Sequence, residues 1–162
     1  MNPRPKRETT LRFLARPGDV NFGGNVHGGA VMSWIDQAGY TCATGWSGCY
    51  CVTILAGGIR FYRPIHIGNL VEVRALVAHT GRTSIYVAVE VFSADPKEQE
   101  FKRTTRCIMV FVAVDEDGKT TPVPTWEPKE EHDIALQQHA MNFYAARQAL
   151  DKELTELEKL MD

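Results

Sequence analysis

The sequence lacks several features that would assign it to a large functional class. Among its 162 residues no apolar run reaches the roughly 18 residues of a membrane span, and none follows the basic residues near its start. We therefore expect no signal peptide, no membrane partner and a cytoplasmic location. The net charge is only −2, so no basic excess indicates nucleic acid as a partner.

Motifs for metals, nucleotides and serine nucleophiles are also missing. The four cysteines form no C-x-x-C pair, and no histidines stand at zinc-site spacing, so we expect reduced, packed cysteines, no metal and no cofactor. Neither a Walker A motif nor a G-x-G-x-x-G fingerprint occurs. The nearest approach to a G-x-S-x-G elbow starts at Gly45 and lacks the last glycine, which argues against an α/β-hydrolase.

The composition and the spacing of apolar residues predict a globular α+β protein. Apolar residues make up 44% of the chain and charged residues 23%. One strand, one helix and then four strands are expected, with turn signals between them. The predicted elements are a strand over 9–15, a Gly/Asn-rich turn over 17–29, a helix over 29–45 that breaks at Gly45 and Gly48, and strands over 50–63, 69–79, 83–93 and 101–114.

The C-terminal part of the chain predicts a separate helical extension. The proline-containing segment 121–128 is typical of an extended connector, so the expected division is a domain over 1–128 and an extension over 129–162. A heptad-like stripe runs through the extension and predicts packing on its own sheet or on a neighbouring subunit. The stripe comprises Leu136, Ala140, Phe143, Arg147, Leu150, Leu154, Leu157 and Met161.

A single charged residue, Asp36, interrupts the long uncharged stretch from Gly28 to Ile59. A helix that is apolar nearly all round is expected to be buried, and a buried carboxylate is costly unless it has a partner. Asp36 is therefore either a structural residue that caps a turn or pairs with an arginine, or a functional one.

The residues before the predicted helix favour the functional interpretation. Gly28 and Gly29 would let a ligand oxygen approach the N–H groups at the helix start, where the helix dipole favours negative charge. Asn21 could donate an amide hydrogen bond to the same oxygen or position a water. The alternative for the glycines is a tight turn that packs helix against sheet. His27 is interpreted as a turn or packing residue rather than a base.

Four runs together resemble the cytosolic acyl-CoA thioesterase (acyl-CoA hydrolase) family, in order and spacing over about residues 9–115. They are Asn21–Asp36, Cys51–Thr53, Phe61–Gly68 and Thr80–Ser84. The resemblance implies a hotdog fold, in which an antiparallel sheet wraps a long central helix. It also implies a catalytic pair at Asn21 and Asp36, with Asn25 a lesser candidate. Substrate contacts would come from Asn25, His27, Arg82, Thr83 and Ser84.

The resemblance further implies hydrolysis of fatty acyl-CoA by a homo-oligomer. Subunits of the family pair side by side into a continuous sheet and usually assemble further, so we expect a trimer of dimers, a hexamer, with each site shared between two chains. Asp36 would act as general base or as nucleophile. The alternatives are a non-catalytic acyl-CoA sensor and a hotdog hydratase or dehydratase. Ala56-Gly57-Gly58 and Asn69 stand where the family often has acidic residues, which leaves the substrate preference open.

Overall fold

The computed structural model describes residues 5–161, which form one antiparallel sheet and two long helices. The sheet order is β1-β3-β4-β5-β2, so β1 and β2 are the outer strands. This architecture confirms the predicted α+β class, the central helix and the additional C-terminal helix. The elements are β1 Glu8–Leu14, a 3₁₀ turn Pro17–Asp19, α1 Gly28–Ser47, β2 Tyr50–Phe61, β3 Leu70–Thr80, β4 Ser84–Ala94, β5 Lys102–Val114 and α2 Glu131–Met161.

Alternation along the strands places the core on one face of the sheet. Successive side chains of a strand point to opposite faces, so a strand with every second residue apolar buries one face. The fully buried side chains of β4 follow this rule and lie on the face that α1 covers: Ile85, Val87, Val89 and Val91. Burial of each such side chain contributes about 1.5–3 kcal/mol. Buried residues of α1 belong to the same cluster, so the helix and the sheet form one core.

α1 approaches the sheet closely and ends at Gly48 rather than at Gly45. A Cβ on Gly39 would lie 3.0 Å from the Phe111 ring, so the absence of a side chain there permits the close approach. Gly48 has a φ of 69° and donates its N–H to Thr44 O at 2.8 Å, which caps the helix. The predicted break at Gly45 is wrong, because an isolated glycine inside a well-packed helix is tolerated.

Only one face of α1 is buried in the single chain. The buried residues are Ala30, Val31, Trp34, Ile35, Ala38, Gly39, Cys42 and Ala43. Met32 and Asp36 lie on the opposite face and are exposed. The predicted burial of Asp36 is therefore wrong for the single chain, because one sheet covers only one side of a helix.

The chain divides into two compact units, and the boundary along the sequence lies between Trp126 and Glu127. In the first unit the connector after β5 is held in place: Val123 donates its N–H to Arg82 O at 3.0 Å, and Trp126 donates its N–H to Thr80 Oγ1 at 2.8 Å. The second unit contains α2, whose stripe residues Leu150, Leu154 and Leu157 are about half exposed. What covers the stripe stays a prediction, as does the domain boundary at 128.

Glu72 of β3 is a buried carboxylate held by two arginines. It is 2% exposed and accepts hydrogen bonds from Arg12 and Arg74, the one from Arg12 Nε at 2.8 Å. Burial acts to raise the pKa of Glu72, but the two arginines outweigh it and lower that pKa from its usual value. The ionised side chain thus ties β1 to β3.

We expect Glu72→Gln to lower the free energy of unfolding by roughly 1–3 kcal/mol at neutral pH, since it removes a charge-assisted pair from a buried position. Because the folded-state pKa is lowered, this contribution is complete above the ordinary pKa, about 4.3, and is lost as the pH falls through the folded value. Urea unfolding of both proteins between pH 7 and pH 3 measures the difference.

A matched control is Glu90→Gln. Glu90 pairs with Arg103 at 2.9 Å, but both side chains are more than a third exposed, so the loss should stay below about 1 kcal/mol. Equal losses in the two variants, or a Glu72 effect that does not change with pH, would contradict the role assigned to Glu72.

Candidate active site

The loop before α1 fixes the Asn21 side chain. Asn21 Oδ1 accepts the N–H of Gly23 at 2.9 Å and that of Asn25 at 3.2 Å, while Asn21 N donates to Asn25 O at 2.7 Å. These contacts determine which end of the amide faces the loop. Within residues 5–161 no hydrogen bond uses its Nδ2, so that donor points away from the loop and is available to a ligand.

The start of α1 presents two backbone donors. His27 is the N-cap: its Nδ1 accepts the N–H of Ala30 at 3.0 Å. The N–H groups of Gly28 and Gly29 are exposed and have no acceptor among the described residues. The predicted oxyanion contacts at Gly28 and Gly29 are therefore geometrically available. His27 serves the helix end, in agreement with its interpretation as a turn residue.

Asp36 lies in the middle of α1 and faces the outer strand β2. Thr53 Oγ1 donates to Asp36 Oδ1 at 2.8 Å, and both residues are exposed in the single chain. Among residues 5–161, β2 pairs only with β5, so its other side is an open sheet edge. One carboxylate oxygen is thus held by a hydroxyl, and the other has no hydrogen-bond partner among the described residues, so it can accept a proton from a ligand or a water.

Among residues 5–161, no hydrogen bond joins Asn21 to Asp36. Asp36 lies eight positions after Gly28, which is about 12 Å along a helix axis. Asn21 belongs to the loop anchored at the helix start, where Val26 donates its N–H to Ile65 O at 2.9 Å. A ligand oxygen at the N–H groups of Gly28 and Gly29 would therefore lie about two helical turns from Asp36 of the same chain.

The other sequence-predicted contacts fall in two places. Asn25 lies beside Asn21 and pairs through its backbone with His66. Arg82 and Thr83 lie in the β3–β4 turn and Ser84 is the first residue of β4; Gly81 donates its N–H to Ser84 O at 2.9 Å. Arg82 is exposed. In the part of the chain that the structure describes, no hydrogen bond connects this turn to Asn21 or Asp36.

Residues 5–161 contain neither a candidate membrane span nor a candidate metal site. None of the described helices contains an apolar stretch long enough to cross a membrane. No cluster of three or more His, Cys, Asp or Glu side chains in this range could hold a metal ion.

Comparison with known proteins assigns the family. Residues 23–100 match the thioesterase superfamily. The chain is 36% identical over 128 residues to the acyl-CoA thioester hydrolase YciA of Salmonella typhimurium, an alignment that covers 76% of this chain and 96% of the relative. The chain belongs to the acyl-CoA thioester hydrolase family. It is also 36% identical over 131 residues to the protein VdlD of Helicobacter pylori, covering 81% of this chain and 75% of the relative.

A solved structure of the same family confirms the hotdog fold. An apo-hexameric acyl-CoA thioesterase superposes with a TM-score of 0.86 at 32% identity, covering 92% of this chain and 96% of that one. The superposition covers nearly all of both chains. The sheet and the central helix that carries Asp36 therefore have the same arrangement as in that acyl-CoA thioesterase.

Thr53 is a candidate site residue that the sequence alone does not single out. It appeared only as part of the Cys51–Thr53 run, and its hydrogen bond to Asp36 depends on how β2 lies against α1, which spacing along the chain does not reveal.

We expect Thr53→Val to lower the rate of acyl-CoA hydrolysis by about 10–100-fold. A hydrogen bond to a charged group contributes about 1.5–3 kcal/mol, and each 1.36 kcal/mol is a factor of ten in rate.

The matched control for this variant is Thr41→Val. Thr41 Oγ1 donates to the carbonyl of Gln37 within the same helix at 2.7 Å and has no contact with Asp36. Steady-state kinetics of both variants should show the loss for Thr53 alone. Comparable rates for the two variants would remove Thr53 from the site.

Proposed function

We propose that this protein hydrolyses acyl-CoA to a free fatty acid and coenzyme A at a site that two chains share. Asp36 of one chain supplies the carboxylate, and the partner supplies Asn21 with the N–H groups of Gly28 and Gly29. The observation that carries the proposal is Asp36 itself, a carboxylate held by Thr53 on the exposed face of the central helix.

The chemistry of a thioester explains why so few groups suffice. The leaving thiol has a pKa near that of cysteine, about 8.5, so the departing sulfur needs little assistance from an acid. Asp36 removes a proton from water, and the hydroxide attacks the carbonyl carbon. The negative charge on the oxygen is stabilised by Gly28 N–H, Gly29 N–H and Asn21 Nδ2. Collapse of this intermediate breaks the C–S bond, and coenzyme A leaves as the thiolate.

Direct attack by the carboxylate is the alternative route. Asp36 would then form a mixed anhydride with the acyl group and release the thiolate first, and water would hydrolyse the anhydride afterwards. Both routes need the same residues. ¹⁸O in the Asp36 side chain after a single turnover in ¹⁸O-water would establish the anhydride route, because only attack of water on the Asp36 carbonyl carbon of the anhydride places the label there.

The open edge of β2 supports the pairing of two chains. An exposed strand edge is a template for a further strand, and the neighbouring large apolar side chains Tyr50, Ile54 and Phe61 are exposed in the single chain. If two copies joined antiparallel at this edge, their α1 helices would also run antiparallel. We infer a register in which the start of one helix lies beside the middle of the other, where Asp36 is.

Assembly beyond the dimer is proposed by analogy with the family. The superposed relative is described as hexameric, and a trimer of dimers built on the paired sheets would give six chains and six sites. Because this assembly is additional to the pairing at β2, the dimer remains the smallest unit in which the proposed site is complete.

Isosteric variants provide the test. Asp36→Asn keeps the acceptor for Thr53, and Asn21→Asp keeps the acceptor for the loop N–H groups while removing the Nδ2 donor. We expect each homo-oligomer to fold and to lose about 10²–10³ in rate or more, measured by thiol release from short, medium and long acyl-CoAs.

Mixing the two inactive variants after dissociation then tests the shared site. Half of randomly formed dimers contain one chain of each kind, and each of these has one intact site of two, so activity should return to about a quarter of wild type. Mixed oligomers without recovered activity would place both residues in one chain. Binding without turnover by the wild type on every acyl-CoA would favour the sensor function instead.

A further inference from the structure

A cleft opens beside the start of α1, next to the proposed oxyanion contacts. Its volume is about 320 Å³, and its lining includes Gly28 together with the apolar side chains Val31, Phe61 and Ile65. This volume is at the lower end of the range of small-ligand pockets, about 300–1,000 Å³. The cleft thus has room for a small, mainly apolar group that starts at Gly28.

A buried hydroxyl without a partner lies in the lining of the cleft. Thr105 of β5 is 1% exposed, and no described atom makes a hydrogen bond with its Oγ1. Thr105 is opposite Phe61 in the β2–β5 register, so both side chains lie on the same face of the sheet. A hydroxyl that is buried without a partner is unfavourable, and such a group in a native protein needs an explanation.

The adjacent threonine shows that the fold satisfies such a group elsewhere. Thr104 is also 1% exposed, but its Oγ1 donates to Val91 O at 3.0 Å. Thr104 is not among the residues that line the cleft. The threonine with the unsatisfied hydroxyl is therefore the one that lines the cleft together with Gly28.

We propose that this cleft binds the acyl group of the substrate and that Thr105 selects acyl groups that carry a hydroxyl oxygen near the thioester. The inference rests on the proposed function, because it needs the thioester carbonyl at Gly28 and Gly29. From that position one substituent of the carbonyl lies at the mouth of the cleft. The apolar walls suit a short hydrocarbon chain, and an oxygen on that chain completes the hydrogen bonding of Thr105.

The test compares pairs of substrates that differ by one oxygen. The measured quantity is the ratio of kcat/KM for hydroxybutyryl-CoA, with the hydroxyl on carbon 3 or carbon 4, to kcat/KM for butyryl-CoA. We expect a ratio above one for at least one isomer in the wild type. Thr105→Val, which keeps the shape and removes the hydroxyl, should lower that ratio at least tenfold, while Thr105→Ser should retain most of it.

Two controls separate recognition from folding. Thr105→Val should not lower the melting temperature, since the hydroxyl has no partner in the unliganded protein. Thr104→Val should lower the melting temperature, because it removes the bond to Val91, and should leave the substrate ratio unchanged.

Turnover of butyryl-CoA tests the proposed function, and the ratio of kcat/KM for hydroxybutyryl-CoA to that for butyryl-CoA tests the role of Thr105. A ratio that Thr105→Val does not change, or an equal loss on all three substrates, would overturn the inference while leaving acyl-CoA hydrolysis in place. An equal loss would assign Thr105 to the pantetheine arm that all three substrates share. Absence of turnover on every acyl-CoA would overturn the proposed function first.

Discussion

The burial of one face of α1 on the sheet is the constraint on which the rest of the structure depends. The buried face is made of small and apolar residues, and Gly39 lets the helix lie close to Phe111. This packing fixes the rotation of the helix, and so it determines that Asp36 faces β2 and the open sheet edge. The same packing leaves the first helical N–H groups exposed at the other end of the site. In the proposed site, the face of α1 that carries Asp36 is therefore opposite the face that stabilises the fold.

The helical geometry of α1 also sets the distance between its first residue, Gly28, and Asp36. Because about 12 Å of helix axis lies between Gly28 and Asp36, the proposed site takes the helix start from one chain and the carboxylate from the other. The exposed apolar residues along β2 would be covered when the two chains pair, so assembly and completion of the site are one step in this account.

Much of this arrangement could be predicted from the sequence, and the remainder depends on tertiary contacts. The strand β4 and the helix α1 could be recognised in the sequence, because burial of one face imposes a spacing of apolar residues of two in a strand and about 3.6 in a helix. The exposure of Asp36 was not readable, because composition does not tell how many sides of a helix a single sheet covers. Gly45 resembles a helix end in the sequence, yet the helix continues to Ser47. The partner of Asp36 and the unsatisfied hydroxyl of Thr105 both depend on how strands and helix come together in space.

The central claim is that the N–H groups of one chain and the carboxylate of another meet at one thioester. A crystal structure of the protein with a non-hydrolysable ketone analogue of butyryl-CoA, in which a methylene group lies between the sulfur and the carbonyl, tests it most directly. The account predicts a ligand carbonyl oxygen within hydrogen-bond distance of Gly28 N–H or Gly29 N–H, and the carboxylate facing the carbonyl carbon should be Asp36 of the partner subunit. A carbonyl that contacts Asp36 and the helix start of the same chain, or one bound away from both, would contradict the account.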